Sequence, residues 1–168
     1  MSASENILGL DLSPAQFQLI GVMMVAYAGI DHYLSFAVRI SNANATPVPD
    51  LPDNAISMGE GKVKGIARLI TEMEKIAKLR ADRQLDGLLD EFKAAIELIR
   101  GPRNLLAHGV LTGGNGQPFS LWNHSTGDNM TVDDVIATAP IYVTAFQAAK
   151  AICERVVDTT AAATPNSA

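Results

Sequence analysis

The sequence predicts an all-α fold, a single helical bundle of four to five helices with a short loop or hairpin inserted late in the chain. Three observations carry this. At 168 residues with 48% hydrophobic content, the chain suits one domain with one buried core. Aromatic residues make up only 5%, and the Ala, Leu, Ile and Val that dominate suit helix-on-helix packing better than a β-sandwich. Apolar positions recur at helical spacing along several stretches, and most of these are introduced by a recognisable N-terminal cap.

Ser13-Pro14-Ala15-Gln16 is a strong helix start: Ser13 is the N-cap, Pro14 takes the first helical position and Gln16 closes a capping box. The first helix is expected to reach about Ile40. Phe17 to Ile30 is nearly all apolar, but Asp31 and His32 close it short of the roughly 20 residues a membrane span needs, so a buried or interfacial helix is expected. Gly21, Ala26, Ala28 and Gly29 permit another helix to approach closely. A helix apolar on most faces needs partners on most faces, and a second copy of the chain is a plausible supplier of one.

Residues 41–56, with Pro47, Pro49 and Pro52, read as an extended loop. Ser57-Met58-Gly59-Glu60 then offers a capping box for a second helix over about 60–80. Asp82 caps a third, whose stripe of Leu85, Leu88, Leu89, Phe92, Ala95, Ile96 and Ile99 leads to Gly101-Pro102, where a kink or a fresh start is expected. Past Gly109, the run Val110 to Val132 is rich in Gly, Asn and Ser and holds Phe119, Leu121 and Trp122, a pattern fit for a hairpin or lid. Thr131-Val132-Asp133-Asp134 caps a last helical stretch, Val135 to Val157, with a kink or restart at Pro140. The domain is thus expected over 13–158, with 1–12 and 159–168 as flexible tails.

The net charge of −5 opposes general polyanion binding, yet ten of the thirteen basic residues fall between Lys62 and Arg103. Against the eight acidic residues from Glu60 to Glu97, ten minus eight leaves about +2 over residues 60–103. A solvated face of i,i+4 pairs is favoured, with a modest basic rim beside it. Cys153 is the single cysteine, so no internal disulfide and no CxxC metal pattern is possible; it reads as packing. Met1 to Leu12 carries Glu5 and Asp11 and no Lys or Arg, unlike a secretory signal. A cytoplasmic protein without membrane, metal or cofactor is the expectation.

The candidate site is Arg103-Asn104-Leu105-Leu106-Ala107-His108-Gly109. It sets a permanent cation, an amide and an imidazole within one and a half helical turns, the parts needed to hold and cleave a phosphodiester. His108 is expected as the last helical residue and Gly109 as a left-handed helix end. On a helix, Asn104 and His108 lie about 40° apart, whereas Arg103 and His108 lie about 140° apart. One motif does not converge on a single atom by itself. Asp31 is a candidate support that accepts hydrogen bonds from Arg103, and solvent exposure is its competing role. The bland reading of the motif is a helix-terminal His108 with Arg103 paired to a carboxylate. His32 and His124 suggest structural or exposed roles, and Trp122 and Phe119 suit covering the core edge more than stacking on a base.

Arg103, Asn104 and His108, with four residues in the gap, resemble the signature of the HEPN superfamily, small all-α proteins with Arg, four to six residues, then His. The long apolar first helix, two helices before the motif and one or two after it also resemble that architecture. The resemblance implies a homodimer whose two motifs meet in a cleft. It further implies metal-independent cleavage of RNA through attack of the ribose 2′-OH: His108 as general base or acid, Arg103 on the scissile phosphate, Asn104 orienting the imidazole or ribose. A toxin or phage-defence role with an antitoxin or other protein partner goes with this. So does the alternative, a non-catalytic module that binds a nucleotide, RNA or protein partner. One departure stands out: toxin-type members often carry Tyr two residues after the motif His, where this chain has Val110.

Overall fold

The structure, a computed structural model, describes residues 12–44, 64–114 and 117–163. The first helix opens on a reciprocal capping box. Ser13 Oγ accepts from the Gln16 N–H at 3.2 Å, and Gln16 Oε1 accepts from the Ser13 N–H at 2.8 Å. Helix α1 (Pro14–Asn44) then continues through Asp31 and His32 to four residues beyond the predicted end. Helix α2 (Lys64–Arg80) follows; most of the predicted loop and the proposed Ser57–Glu60 cap lie outside the described residues.

A two-residue turn joins α2 to α3 (Arg83–His108). Ala81 takes a left-handed φ of 50°, its N–H donating to the Lys78 carbonyl and that of Asp82 to the Ala77 carbonyl, the paired bonds of a Schellman ending. Asp82 caps α3 as predicted, its carboxylate accepting from the N–H groups of Gln84 and Leu85, both at 3.1 Å. The same carboxylate takes a two-pronged contact from Arg155, with Nε to Oδ2 at 2.9 Å and Nη2 to Oδ1 at 3.1 Å. The turn is thereby tied to the last helix.

After α3 the predicted hairpin is a three-stranded antiparallel sheet: β1 (Val110–Gly114), β2 (Gln117–Trp122) and β3 (Asn129–Thr131), paired in that order. The register sets Leu111 against Leu121 and Leu121 against Met130, and Leu121 and Met130 pack on the helical core. Trp122, paired with Val110 and Asn129, points to the other face of the sheet. Thr131 caps α4 (Val132–Ala137). A break at Thr138 precedes α5 (Ala139–Ala163), so the restart falls beside Pro140, which occupies the first turn where its missing N–H costs nothing. The predicted flexible tail from 159 is helical as far as Ala163, because Thr159 and Thr160 hydroxyls accept from Arg80 of α2.

The fold is mainly α, with four long helices, one short helix and a small sheet among the described residues. Its core joins Met23, Ile30 and Leu34 of α1, Met73 of α2, Leu85, Leu89, Phe92, Ile99 and Leu105 of α3, and Tyr142 and Ile152 of α5. Helix α1 runs along α5, and a Cβ added to Gly29 would meet the Phe146 ring, with Cδ2 at 2.8 Å. Of the small residues on α1, Ala26 and Gly29 serve this internal packing, while Gly21 and Ala28 face outward. With them, Phe17, Met24, Val25 and Phe36 make an exposed apolar face, Val25 being 73% accessible. By length and composition Pro14–Ser41 and Val132–Ala162 are each apolar enough to cross a bilayer. The latter is broken at Thr138 and turns one side, with Tyr142, Ala145, Ala149 and Ile152, into the core, and the exposed side of α1 carries Asp31, His32 and Arg39.

Candidate functional site

The buried stripe of α3 continues as Ile99, Pro102 and Leu105, which leaves Arg103 and Asn104 half-buried on its flank and His108 exposed at its end. The kink or fresh start expected at Pro102 does not divide the helix. A proline in a helix interior costs about 3 kcal/mol, and the packing of Ile99, Pro102 and Leu105 against the bundle offsets it. Gly109 also departs from expectation, with φ −75° and ψ 147°, an extended and not a left-handed residue. Its N–H closes the last turn on the Leu105 carbonyl at 2.7 Å. A Cβ there would press on that carbonyl, its carbon being 3.1 Å away, so close backbone approach is what favours glycine.

Arg103 turns inward. Its guanidinium carbon lies 4.9 Å from the centroid of the Tyr27 ring on α1, a cation–π contact, and its Nη1 donates to Asn104 Oδ1 at 3.2 Å. No carboxylate neutralises it among the described residues. Burial pushes the Tyr27 phenol up; the nearby Arg103 charge opposes that shift and Asp31 adds to it. Asp31 itself is exposed, with Oδ1 3.5 Å from where a Gly65 Cβ would stand in the first turn of α2. It influences the cluster through its charge, and no hydrogen bond joins it to Arg103.

Tyr142 of α5 completes the cluster from the core side. It is 1% exposed, and its hydroxyl has no hydrogen-bond partner among the described residues. Burial, then the charge of an ionised Tyr27, pushes its phenol far above the ordinary value, against a smaller effect of Arg103. Arg103, Asn104, Tyr27 and Tyr142 therefore share one neighbourhood, whereas His108 stands apart from them on the helix end. Neither tyrosine was singled out from sequence. The available signal for Tyr27 is its place one turn before Asp31, on the same side of α1.

The remaining candidates are placed as follows. His32 stacks with Phe36 at 6.4 Å between centroids and meets Tyr33 edge-on. Cys153 is buried, and burial raises its thiol pKa, consistent with packing. Among the described basic residues, Lys75, Lys93 and Arg100 pair with Glu72, Asp90 and Glu97 at i,i+3 instead of the expected i,i+4 spacing, and Lys93 also reaches Glu74 of α2, so the solvated charged face is there with a different spacing. Among the described residues, no group of three or more His, Cys, Asp or Glu is placed to hold a metal. No protein-family profile, curated protein or solved structure matches this chain.

Proposed function

We propose that this chain is a HEPN-type, metal-independent endoribonuclease acting as a homodimer in the cytoplasm, of the toxin or phage-defence kind. The observation that carries this reading is the state of Arg103: a guanidinium with no carboxylate partner among the described residues, positioned by Tyr27 and Asn104, on the same helix whose exposed last residue is His108. In the reaction, His108 accepts the 2′-OH proton as O2′ bonds to phosphorus, and the P–O5′ bond breaks as the protonated His108 returns that proton to O5′, leaving a 2′,3′-cyclic phosphate. Arg103 balances the charge that develops on the phosphoryl oxygens, for which its planar fork is suited.

Since Arg103 and His108 diverge within a chain, the reading requires Arg103 of one protomer to meet His108 of another. The exposed apolar face of α1 supports such an assembly. Purified protein should cleave single-stranded RNA in EDTA, and Arg103→Ala or His108→Ala should each abolish cleavage. Equal residual activity in wild type and both variants would overturn the assignment. The second reading, a non-catalytic module that binds a nucleotide, RNA or protein partner, is favoured by the separation of the two residues in one chain; it gains if the protein is monomeric and binds RNA without cutting it.

A further inference from the structure

Trp122 is an aromatic residue that the core does not account for. It is 39% exposed, and alternation along β2 turns it away from the face on which Leu121 and Met130 pack. The His124 imidazole lies against the Trp122 indole, 5.1 Å between centroids at an interplanar angle of 44°. Val110, the cross-strand partner of Trp122, is exposed as well. The result is a ring pair with an open side, on the solvent face of the sheet.

The strand register gives this pair a functional address. Val110 opposes Trp122; His108 precedes Val110 by two residues, and His124 follows Trp122 by two. Both histidines therefore flank the same end of the β1–β2 ladder, which begins directly where α3 stops. The nearest carboxylate along the turn, Asp128, is engaged by the Thr126 hydroxyl at 2.6 Å, and Asn123 and Gly127 fix the turn backbone. The platform is held, not floppy, because Asn123 is buried and accepts from both N–H and Oγ of Ser125.

We infer that the Trp122–His124 ring pair is a stacking platform for an unpaired base of single-stranded RNA, seating the nucleotide next to the phosphate presented to His108. Aromatic faces take any base, so the platform confers preference for single strands and not for a sequence. This rests on the ribonuclease reading, and the test separates the two. Trp122 is the only tryptophan of the chain, so its emission reports on this one ring.

The full-length protein is titrated with a single-stranded 2′-O-methyl RNA octamer, which lacks the free 2′-OH needed for cleavage, and with the same octamer as a duplex. Saturable quenching by the single strand, much weaker with the duplex, is expected. Trp122→Leu should weaken octamer binding roughly 5–150-fold, followed by anisotropy of a labelled strand, while Trp122→Phe retains most of it. In RNA cleavage the Leu variant should raise KM with kcat largely kept. Unquenched emission, or equal binding by Trp122→Leu, overturns the platform even if the wild type cuts RNA. Quenching with the Leu effect but without cleavage supports the platform and removes the nuclease. Emission that changes with protein concentration alone, and not with the octamer, makes a second copy the occupant and overturns the proposal.

Discussion

Asp82→Ala should be among the most damaging single changes near a helix end, because that carboxylate serves two elements. It caps α3 through two backbone N–H groups, and loss of a cap costs about 1 kcal/mol. It also receives the Arg155 fork, joining the α2–α3 turn to α5. A charged hydrogen bond contributes about 1.5–3 kcal/mol when shielded; with the Arg155 side chain 33% accessible, only the lower end of that range applies. The sum is about 2–3 kcal/mol, which for a domain of this size lowers Tm by about 4–12 °C. Asp82→Asn keeps a capping oxygen and should fall between wild type and the Ala variant.

The pH dependence has a definite sign. Hydrogen bonding from Arg155, then from the Leu85 and Gln84 N–H groups together with the Arg155 charge, outweighs desolvation and holds the Asp82 carboxyl below its ordinary value. Its contribution is therefore complete above the unfolded value near 3.9 and is lost as pH falls through the lowered native value. Urea unfolding of wild type and Asp82→Ala at neutral pH and in acid measures this: the gap between them should narrow only below about pH 4. A Tm change under 2 °C, or an Asn variant less stable than the Ala variant, would refute the dual role.

Tyr142→Phe should raise stability by about 1 kcal/mol at neutral pH, since it removes a buried hydroxyl that has no partner. Because burial raises the native phenol pKa, the wild type should also lose stability as pH rises above about 10, more than the Phe variant does; urea unfolding at both pH values decides. Val25→Arg places a charge at the centre of the open α1 face and should convert dimer to monomer in sedimentation equilibrium with Tm of the monomer unchanged. A wild type that is already monomeric contradicts the assembly.

The parts of this fold that were legible in the sequence are those decided within a few residues. Ser13 with Gln16, Asp82 and Thr131 each satisfy the first N–H groups of their own helix, so spacing alone locates them. The errors fall where distant packing decides. Pro102 stays in a continuous helix because Ile99 and Leu105 pull both sides of it into the core. Helix α5 outlasts its apolar stripe because Arg80, far away in sequence, bonds Thr159 and Thr160. The late insertion gains a third strand of only three residues, too short to leave a periodic signal.

The site was legible to the same extent. The divergence of Arg103 and His108 follows from helical geometry alone and holds in the structure, with one half-buried and the other exposed. What periodicity cannot reveal is which side chain of α1 receives Arg103. Asp31 was the candidate on charge; the guanidinium lies over Tyr27 one turn earlier, where a half-buried ring faces α3 without the desolvation cost of a buried carboxylate.

The central claim is that one catalytic centre draws Arg103 and His108 from two chains. Arg103→Ala and His108→Ala proteins, each inactive alone, should be unfolded together, refolded as a mixture and assayed on single-stranded RNA in EDTA. Half of the dimers are then mixed, and each mixed dimer holds one intact pair, so about one quarter of wild-type activity should return. No recovery from the mixture, with wild type active under the same conditions, would contradict a centre shared between chains.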